Sequence, residues 1–177
     1  YRKGSRISYA SSNRSYTNRV MATHTTGLME NGWALAITAG RRWAEEGFAE
    51  GTVYDANSIF ASIEKKINDK HSINFTSIYT PNRRGKSAGM TQEIFDLKDN
   101  KYNSYWGYQN GEKRNSRIRE IEEPILMFNH YWTISEKTTL NTNVAYQFGH
   151  IGNSRIDFNG ANPDPAYYKK LPSSALR

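Results

Sequence analysis

The sequence contains no cysteine among its 177 residues, which excludes both a disulfide framework and a thiolate metal site. It also lacks any run approaching the roughly 20 apolar residues that a membrane-spanning helix requires. The first residues are polar and basic, so nothing there resembles a secretory signal. Hydrophobic residues make up only 37% of the chain, which is low for a compact soluble core. If the chain belongs in a membrane, only a closed β-barrel satisfies its backbone there.

Aromatic residues, in contrast, are plentiful at 13% of the sequence. A disordered chain would be poor in them. Many Tyr, Trp, Thr, Asn and Ser residues with few leucines, at a mean hydropathy of −0.81, are typical of strands with one apolar and one polar face. The composition therefore predicts a single all-β domain.

Alternation of apolar and polar residues recurs in runs of about ten, which is the signature of barrel strands. In the clearest run one face carries Leu140, Thr142, Val144, Tyr146 and Phe148, and the other carries Asn141, Asn143, Ala145 and Gln147. Val53–Ile67 also has isoleucine at every fourth position, as a helix would, but we favour a strand. The predicted strands are Ser5–Ala10, Ser15–Thr26, Trp33–Ala44, Val53–Ile67, Ser72–Thr80, Ile125–Thr133 and Thr138–Phe148.

Short and long connections alternate along the chain. Short turns are expected at Glu30–Gly32, Asn68–Lys70 and Ser135–Lys137, and longer links at 45–52, at 81–123 and after Gly149. A meander with short turns at one end and long loops at the other is typical of outer-membrane barrels. We therefore predict an antiparallel up-and-down transmembrane β-barrel segment: an incomplete barrel of about seven to eight strands paired as sequential hairpins, with one long extracellular loop at about 81–123.

The long loop concentrates basic and aromatic residues. Before Glu120 it holds nine lysines and arginines and four acids. The excess of positive charge in this loop is most of the chain's net charge of +7. Arginine forks and exposed aromatic faces suit anionic or ring-shaped ligands. The ligand-contact candidates are Arg83, Arg84, Trp106, Tyr108 and Arg114. The alternative is a loop packed on itself, with its basic residues paired to local acids or to lipopolysaccharide phosphates.

Polar residues of the predicted strands are expected to line a lumen, and the candidates are Asn74, Thr76, Asn141, Asn143 and Gln147. Trp33, Trp132 and Tyr16 lie near strand ends, where aromatic residues form a girdle at the lipid interface. Arg41 shares the alternation of Trp33 and would face lipid, but near the rim this costs only about 0–1 kcal/mol.

Nothing in the sequence favours an enzyme. No nucleophile elbow, phosphate-binding loop or dinucleotide motif is present. The histidines at 24, 71, 130 and 150 are far apart in sequence and lack the spacing of metal ligands. We expect no catalytic residue, no metal, no cofactor and no nucleic-acid partner, since no RNA- or DNA-binding motif accompanies the basic residues.

Several segments resemble one family. They are Ser15–Thr23, Gly27–Trp33, Arg41–Gly47, Arg83–Ser87, Tyr102–Asn115, Tyr146–Gly149, Asn162–Pro165 and Tyr167–Tyr168. Together they resemble the TonB-dependent outer-membrane receptors that carry a carboxypeptidase-like regulatory domain before their plug. The resemblance covers nearly the whole chain.

This resemblance implies a location in the bacterial outer membrane and a receptor that captures a ligand at the cell surface and forms its uptake channel. Receptors of this family have about 22 strands around a plug, so residues 1–177 are expected to be the N-terminal part of the barrel only. The implied partners are membrane lipid and lipopolysaccharide, the plug and remaining strands, TonB, an unidentified transported ligand and a surface lipoprotein. Two alternatives remain open: a self-contained soluble β-barrel that binds a ligand, and a surface interaction module whose basic-aromatic loop grips a partner.

Overall fold

A computed structural model describes residues 2–157, 160 and 162–176. Most of the chain is strand, and the helices are short. The strands are β1 (Gly4–Ser11), β2 (Asn18–Leu28), β3 (Trp33–Ala44), β4 (Tyr54–Lys66), β5 (His71–Tyr79), β6 (Asn82–Gly85), β7 (Trp106–Gln109), β8 (Glu112–Asn115), β9 (Ile118–Glu122), β10 (Ile125–Ser135), β11 (Thr138–Gln147) and β12 (His150–Asn153). The helices are α1 (Gln92–Leu97), a 3-10 turn (Tyr168–Lys170) and α2 (Pro172–Ala175).

Seven strands form one antiparallel meander in the order β1-β2-β3-β4-β5-β10-β11. Each pairs with the next along the chain, apart from the insertion between β5 and β10, so the predicted sequential hairpins and the all-β class are confirmed. The segment with isoleucine at every fourth position is strand β4, as predicted. The described strands form an open sheet with β1 and β11 at its edges, and they do not close into a barrel.

Three strands continue past a shared break. Strands β6, β9 and β12 extend β5, β10 and β11 beyond Pro81, Pro124 and Gly149 with the pairing register unchanged. Proline has no N–H to donate and interrupts a ladder. The predicted loop at 81–123 was therefore wrong at both ends, since only residues 86–117 lie outside the extended strands, and β12 begins where a loop was expected.

Gly149 marks the break in the third strand. Its φ is +127°, a conformation that side chains rarely adopt. A Cβ there would overlap the carbonyl oxygen of Glu122 on the neighbouring strand. Glycine is thus required where β11 turns into β12.

The short turns lie together at the opposite end of the sheet. Between β2 and β3, Gly32 has a φ of +78°, as the Asn31-Gly32 pair predicts for a tight hairpin. In the turn between β4 and β5, Asn68 Oδ1 accepts the backbone N–H groups of Lys70 and His71 at 2.9 Å each. The separation of short turns from long links is therefore confirmed.

The two faces of the sheet have opposite chemistry. On one face, a row of paired residues runs across five strands: Leu35, Ile63, Phe75, Phe128 and Val144. The neighbouring row lies on the other face and contains Glu64, Asn74, Asn129 and Asn143. The first set belongs to the apolar face, which is exposed: Ile7 and Val144 show 82% and 62% of their surface. The second belongs to the polar face, where Ser62 and Thr76 are only 4% and 8% exposed.

The insertion at 86–117 packs at the long-link end. Thr91 caps α1 by accepting the N–H of Ile94 at 3.3 Å, and Ile94 is buried. The C-terminal segment docks on it, because Ser173 donates both its N–H and its hydroxyl to Glu93, at 2.8 and 2.6 Å. Among the described residues no helix has the length and apolarity to cross a membrane.

Candidate functional site

An open cavity of about 1370 Å³ lies beside the extended strands, under the β7–β8 hairpin. Four of the five predicted ligand-contact residues line it, namely Arg83, Trp106, Tyr108 and Arg114. The fifth, Arg84, does not. It alternates with Arg83 along β6 and so lies on the polar face, whereas Arg83 shares the register of the apolar face. The structure therefore divides the predicted group between the two sides of the sheet.

Trp106 is held in place by its neighbours. Gly51 has a φ of +66°, and a Cβ there would overlap the Trp106 side chain. Lys113 Nζ lies 4.3 Å from the centroid of the Trp106 ring and also pairs with Glu46. The ring meets Tyr108 edge-on at 5.9 Å. Trp106 thus anchors the hairpin, which leaves Tyr108, 73% exposed, as the freer aromatic surface.

Two asparagines that the sequence did not single out fix the insertion to the link between β3 and β4. Asn103, 2% exposed, donates to the carbonyls of Glu50 and Lys86 at 2.8 and 3.2 Å. Asn115 donates to those of Gly51 and Lys86 at 3.0 and 2.9 Å. These contacts join segments far apart in the chain, so no local pattern predicts them.

The charges of the cavity are largely paired. Arg83 Nε donates to Glu120 Oε1 at 3.0 Å, and Arg114 donates to Gln109 Oε1 at 2.9 Å. Burial acts to raise the pKa of the Glu46 carboxyl, but hydrogen bonds from Lys113 and from the N–H of Gly51, with the charge of Lys113, outweigh it and hold the pKa below its usual range. Arg83 and Lys113 thus pair with local acids, whereas Arg114 has a neutral partner.

A hydrogen-bonded network occupies the polar face. The hydroxyls of Ser62 and Thr76 lie 3.0 Å apart, and Asn74 Nδ2 donates to Ser62 Oγ at 2.8 Å. Asn74 Oδ1 accepts from Thr76 at 2.9 Å and from Asn129 Nδ2 at 3.0 Å. The predicted lumen residues Asn141, Asn143 and Gln147 share this face by register and are exposed on edge strand β11.

Polar and aromatic groups border the apolar face at both ends. At the long-link end Arg41 pairs with Asp55 through two contacts of 3.1 Å. At the short-turn end Lys65 Nζ lies 5.0 Å from the Trp33 ring centroid. The predicted girdle residues Trp33 and Trp132 both lie at this end, whereas Tyr16 precedes β2 at the other.

His71 and His130 are neighbours in the fold. Their Nδ1 and Nε2 atoms lie 3.0 Å apart, and Trp132 stacks on His71 with ring centroids 5.4 Å apart. The sequence did not predict this pair, because the two histidines are 59 residues apart. Among the residues that the structure describes, no three His, Cys, Asp or Glu side chains come together as metal ligands.

Comparison of the chain with protein-family models, with curated proteins and with solved structures finds no match.

Proposed function

We propose that the chain forms part of the wall of a bacterial outer-membrane transport barrel of the TonB-dependent receptor type, which captures a ligand at the cell surface and forms its uptake channel. The observation that carries this proposal is the inverted polarity of the sheet: the centre of its polar face, at Ser62, Asn74 and Thr76, is buried and hydrogen-bonded, and its apolar face is exposed. A soluble protein rarely leaves so large an apolar surface in water.

The height of the apolar face supports the same conclusion. From Trp33 to Arg41 on β3 and from His71 to Tyr79 on β5 the chain advances eight residues, which is about 27 Å at ~3.4 Å per residue. Strands tilted by about 40° would give a band of about 20 Å, close to the ~25 Å of outer-membrane barrels. The charged pair Arg41–Asp55 and the aromatic ring of Trp33 lie at the two borders, where a lipid interface would place them.

Transport is supported by the polar face. Side chains such as Asn74, Thr76, Asn129 and Asn143 offer hydrogen-bond donors and acceptors along the strands, as the inner wall of a channel would. Loop 86–117 and the cavity beneath its hairpin would stand at the extracellular end, because the short turns belong at the periplasmic end. The soluble ligand-binding alternative is disfavoured by the exposure of Ile37, Ile59 and Phe75.

Refolding tests this proposal. The chain should acquire its strand content, followed by circular dichroism, only with detergent micelles or lipid vesicles. Topology is then tested in cells that carry single cysteines, since the chain has none of its own. An impermeant maleimide should label Tyr108→Cys on intact cells and Glu136→Cys only after the outer membrane is opened. Full strand content in plain buffer at low concentration, with a monomeric mass, would refute the membrane assignment.

A further inference from the structure

Four arginines form two directly opposed pairs on the polar face. Arg19 of β2 is paired in register with Arg42 of β3, and Arg84 of β6 with Arg119 of β9. Like charges directly opposite each other on neighbouring strands destabilise a sheet. Two such pairs at the same end of one sheet require a compensating group.

The two pairs are close to each other. Ala56 of β4 lies opposite Arg42 on one side, and Tyr54, two residues earlier, lies opposite Arg84 on the other. Only β4 separates Arg42 from Arg84, so their backbones lie about 12 Å apart, two strand spacings of ~4.8 Å across the sheet and two residues of ~3.4 Å along it. The Arg42 guanidinium lies 5.9 Å from the centroid of the Tyr16 ring, and Tyr16 lies 5.8 Å from Tyr54. Two tyrosines thus bridge the space between the pairs.

The acids of these strands point the other way. Asp55 and Glu120 lie on the opposite face, where they pair with Arg41 and Arg83. The rows that hold the four arginines contain no carboxylate. Within the described part of the chain none of the four arginines forms an ion pair.

The burial of two guanidinium Nε atoms is a second, independent observation that points to a bound anion. The Nε atoms of Arg19 and Arg119 are buried and have no hydrogen-bond partner among the described residues. A buried, unsatisfied donor of a charged group costs free energy, so the arrangement is incomplete without an acceptor. Guanidinium forks match the planar or tetrahedral oxygens of carboxylate and phosphate.

We propose that Arg19, Arg42, Arg84 and Arg119 form a binding site for a small solute that carries at least two phosphate or carboxylate groups. The location of this site at a channel mouth rests on the proposed function. The anion site itself depends only on the fold. One anionic group lies between the guanidinium groups of each pair, and the tyrosines contact the linker between them.

The test is calorimetric titration of the 177-residue chain, folded in neutral detergent at low salt, with inorganic tripolyphosphate and, separately, with citrate. Arg42→Gln and Arg119→Gln should each weaken binding about tenfold or more, because each removes charge-assisted hydrogen bonds. Arg119→Lys, which keeps the charge but loses the fork, should weaken it less. The matched control is Arg41→Gln, whose side chain leaves the same strand on the opposite face; it should leave the affinity within about twofold, as expected for a charge contributing only screened, long-range attraction.

Binding of tripolyphosphate alone assigns the phosphate class, and binding of citrate as well assigns polyanions in general. No binding of either, or equal losses in Arg41→Gln and Arg42→Gln, would overturn the proposal. Binding of a polyglutamate peptide without either small anion would replace the solute with an acidic polypeptide. None of these outcomes requires insertion into lipid, so a chain that binds the anion yet folds without detergent would refute the proposed function and leave the anion site standing.

Discussion

Val144 and Asn143 are adjacent residues of edge strand β11 that point to opposite faces, which makes them a matched pair for substitution by arginine. Val144 is paired with Phe128, which is paired with Phe75, and Phe75 lies four residues from each border of the apolar face, at His71 and Tyr79. Val144 is therefore in the central part of the proposed membrane band. Asn143 is paired with Asn129 on the polar face.

Val144→Arg should lower the free energy of unfolding by about 2–4 kcal/mol in lipid, the cost of arginine at the bilayer midplane of a barrel. Asn143→Arg should change it little, because the long side chain remains among polar groups or in water. If the apolar face met water instead, Val144→Arg would cost less than about 0.5 kcal/mol, as expected at an exposed site.

Reversible urea unfolding of the chain in phosphatidylcholine vesicles, followed by tryptophan fluorescence, measures both changes. The slope of free energy against urea must stay the same for the comparison to hold. Equal effects of the two substitutions, or a larger effect of Asn143→Arg, would refute the assignment of the faces.

Three further predictions follow from particular contacts. Gly149→Ala should destabilise the fold by about 1–3 kcal/mol, whereas Gly152→Ala, whose Cβ would meet the Glu120 Cβ at an ordinary 3.7 Å, should be close to neutral in the same urea titration. Thr76→Val removes the hydroxyl that contacts Ser62 and Asn74 and should cost about 1–3 kcal/mol, while Thr142→Val on the apolar face should cost nothing in lipid; similar losses at both would contradict the network. The Glu46–Lys113 pair should stabilise the fold fully above the unfolded-state pKa of glutamate, and this stabilisation should be lost as the pH falls through the lower folded-state pKa. Protease cleavage of the hairpin should therefore increase in that acid range. Glu46→Gln should abolish this pH dependence.

The sequence predicted the seven-stranded meander well because the alternation that marks a strand also determines its faces. Strand β3 has the bounds that its alternation predicts, and β4 is a strand despite its helical isoleucine spacing, because pairing with β3 and β5 outweighs a local pattern. The extended strands were missed. Prolines 81 and 124 read locally as loop boundaries, whereas here they interrupt a ladder whose register continues beyond them.

Contacts that join distant segments could not be predicted. His71 and His130 are 59 residues apart in sequence, and their proximity depends on the register of β5 with β10. The four arginines likewise share a site only because separate pairings, β2 with β3 and β6 with β9, place them in adjacent rows. The sequence grouped Arg83 with Arg84 by adjacency, although neighbours in a strand point to opposite faces.

If the apolar face meets lipid, as proposed, spin labels along β10 should report it residue by residue. Single cysteines replace each residue from Leu126 to Thr133 in turn, and the labelled chain is folded into lipid vesicles. Collisions with oxygen, which partitions into the bilayer, should peak at Leu126, Phe128, His130 and Trp132. Collisions with a water-soluble nickel chelate should peak at Met127, Asn129, Tyr131 and Thr133, with a period of two residues. The same collision profile for both quenchers, or nickel accessibility highest at Phe128, would contradict the account.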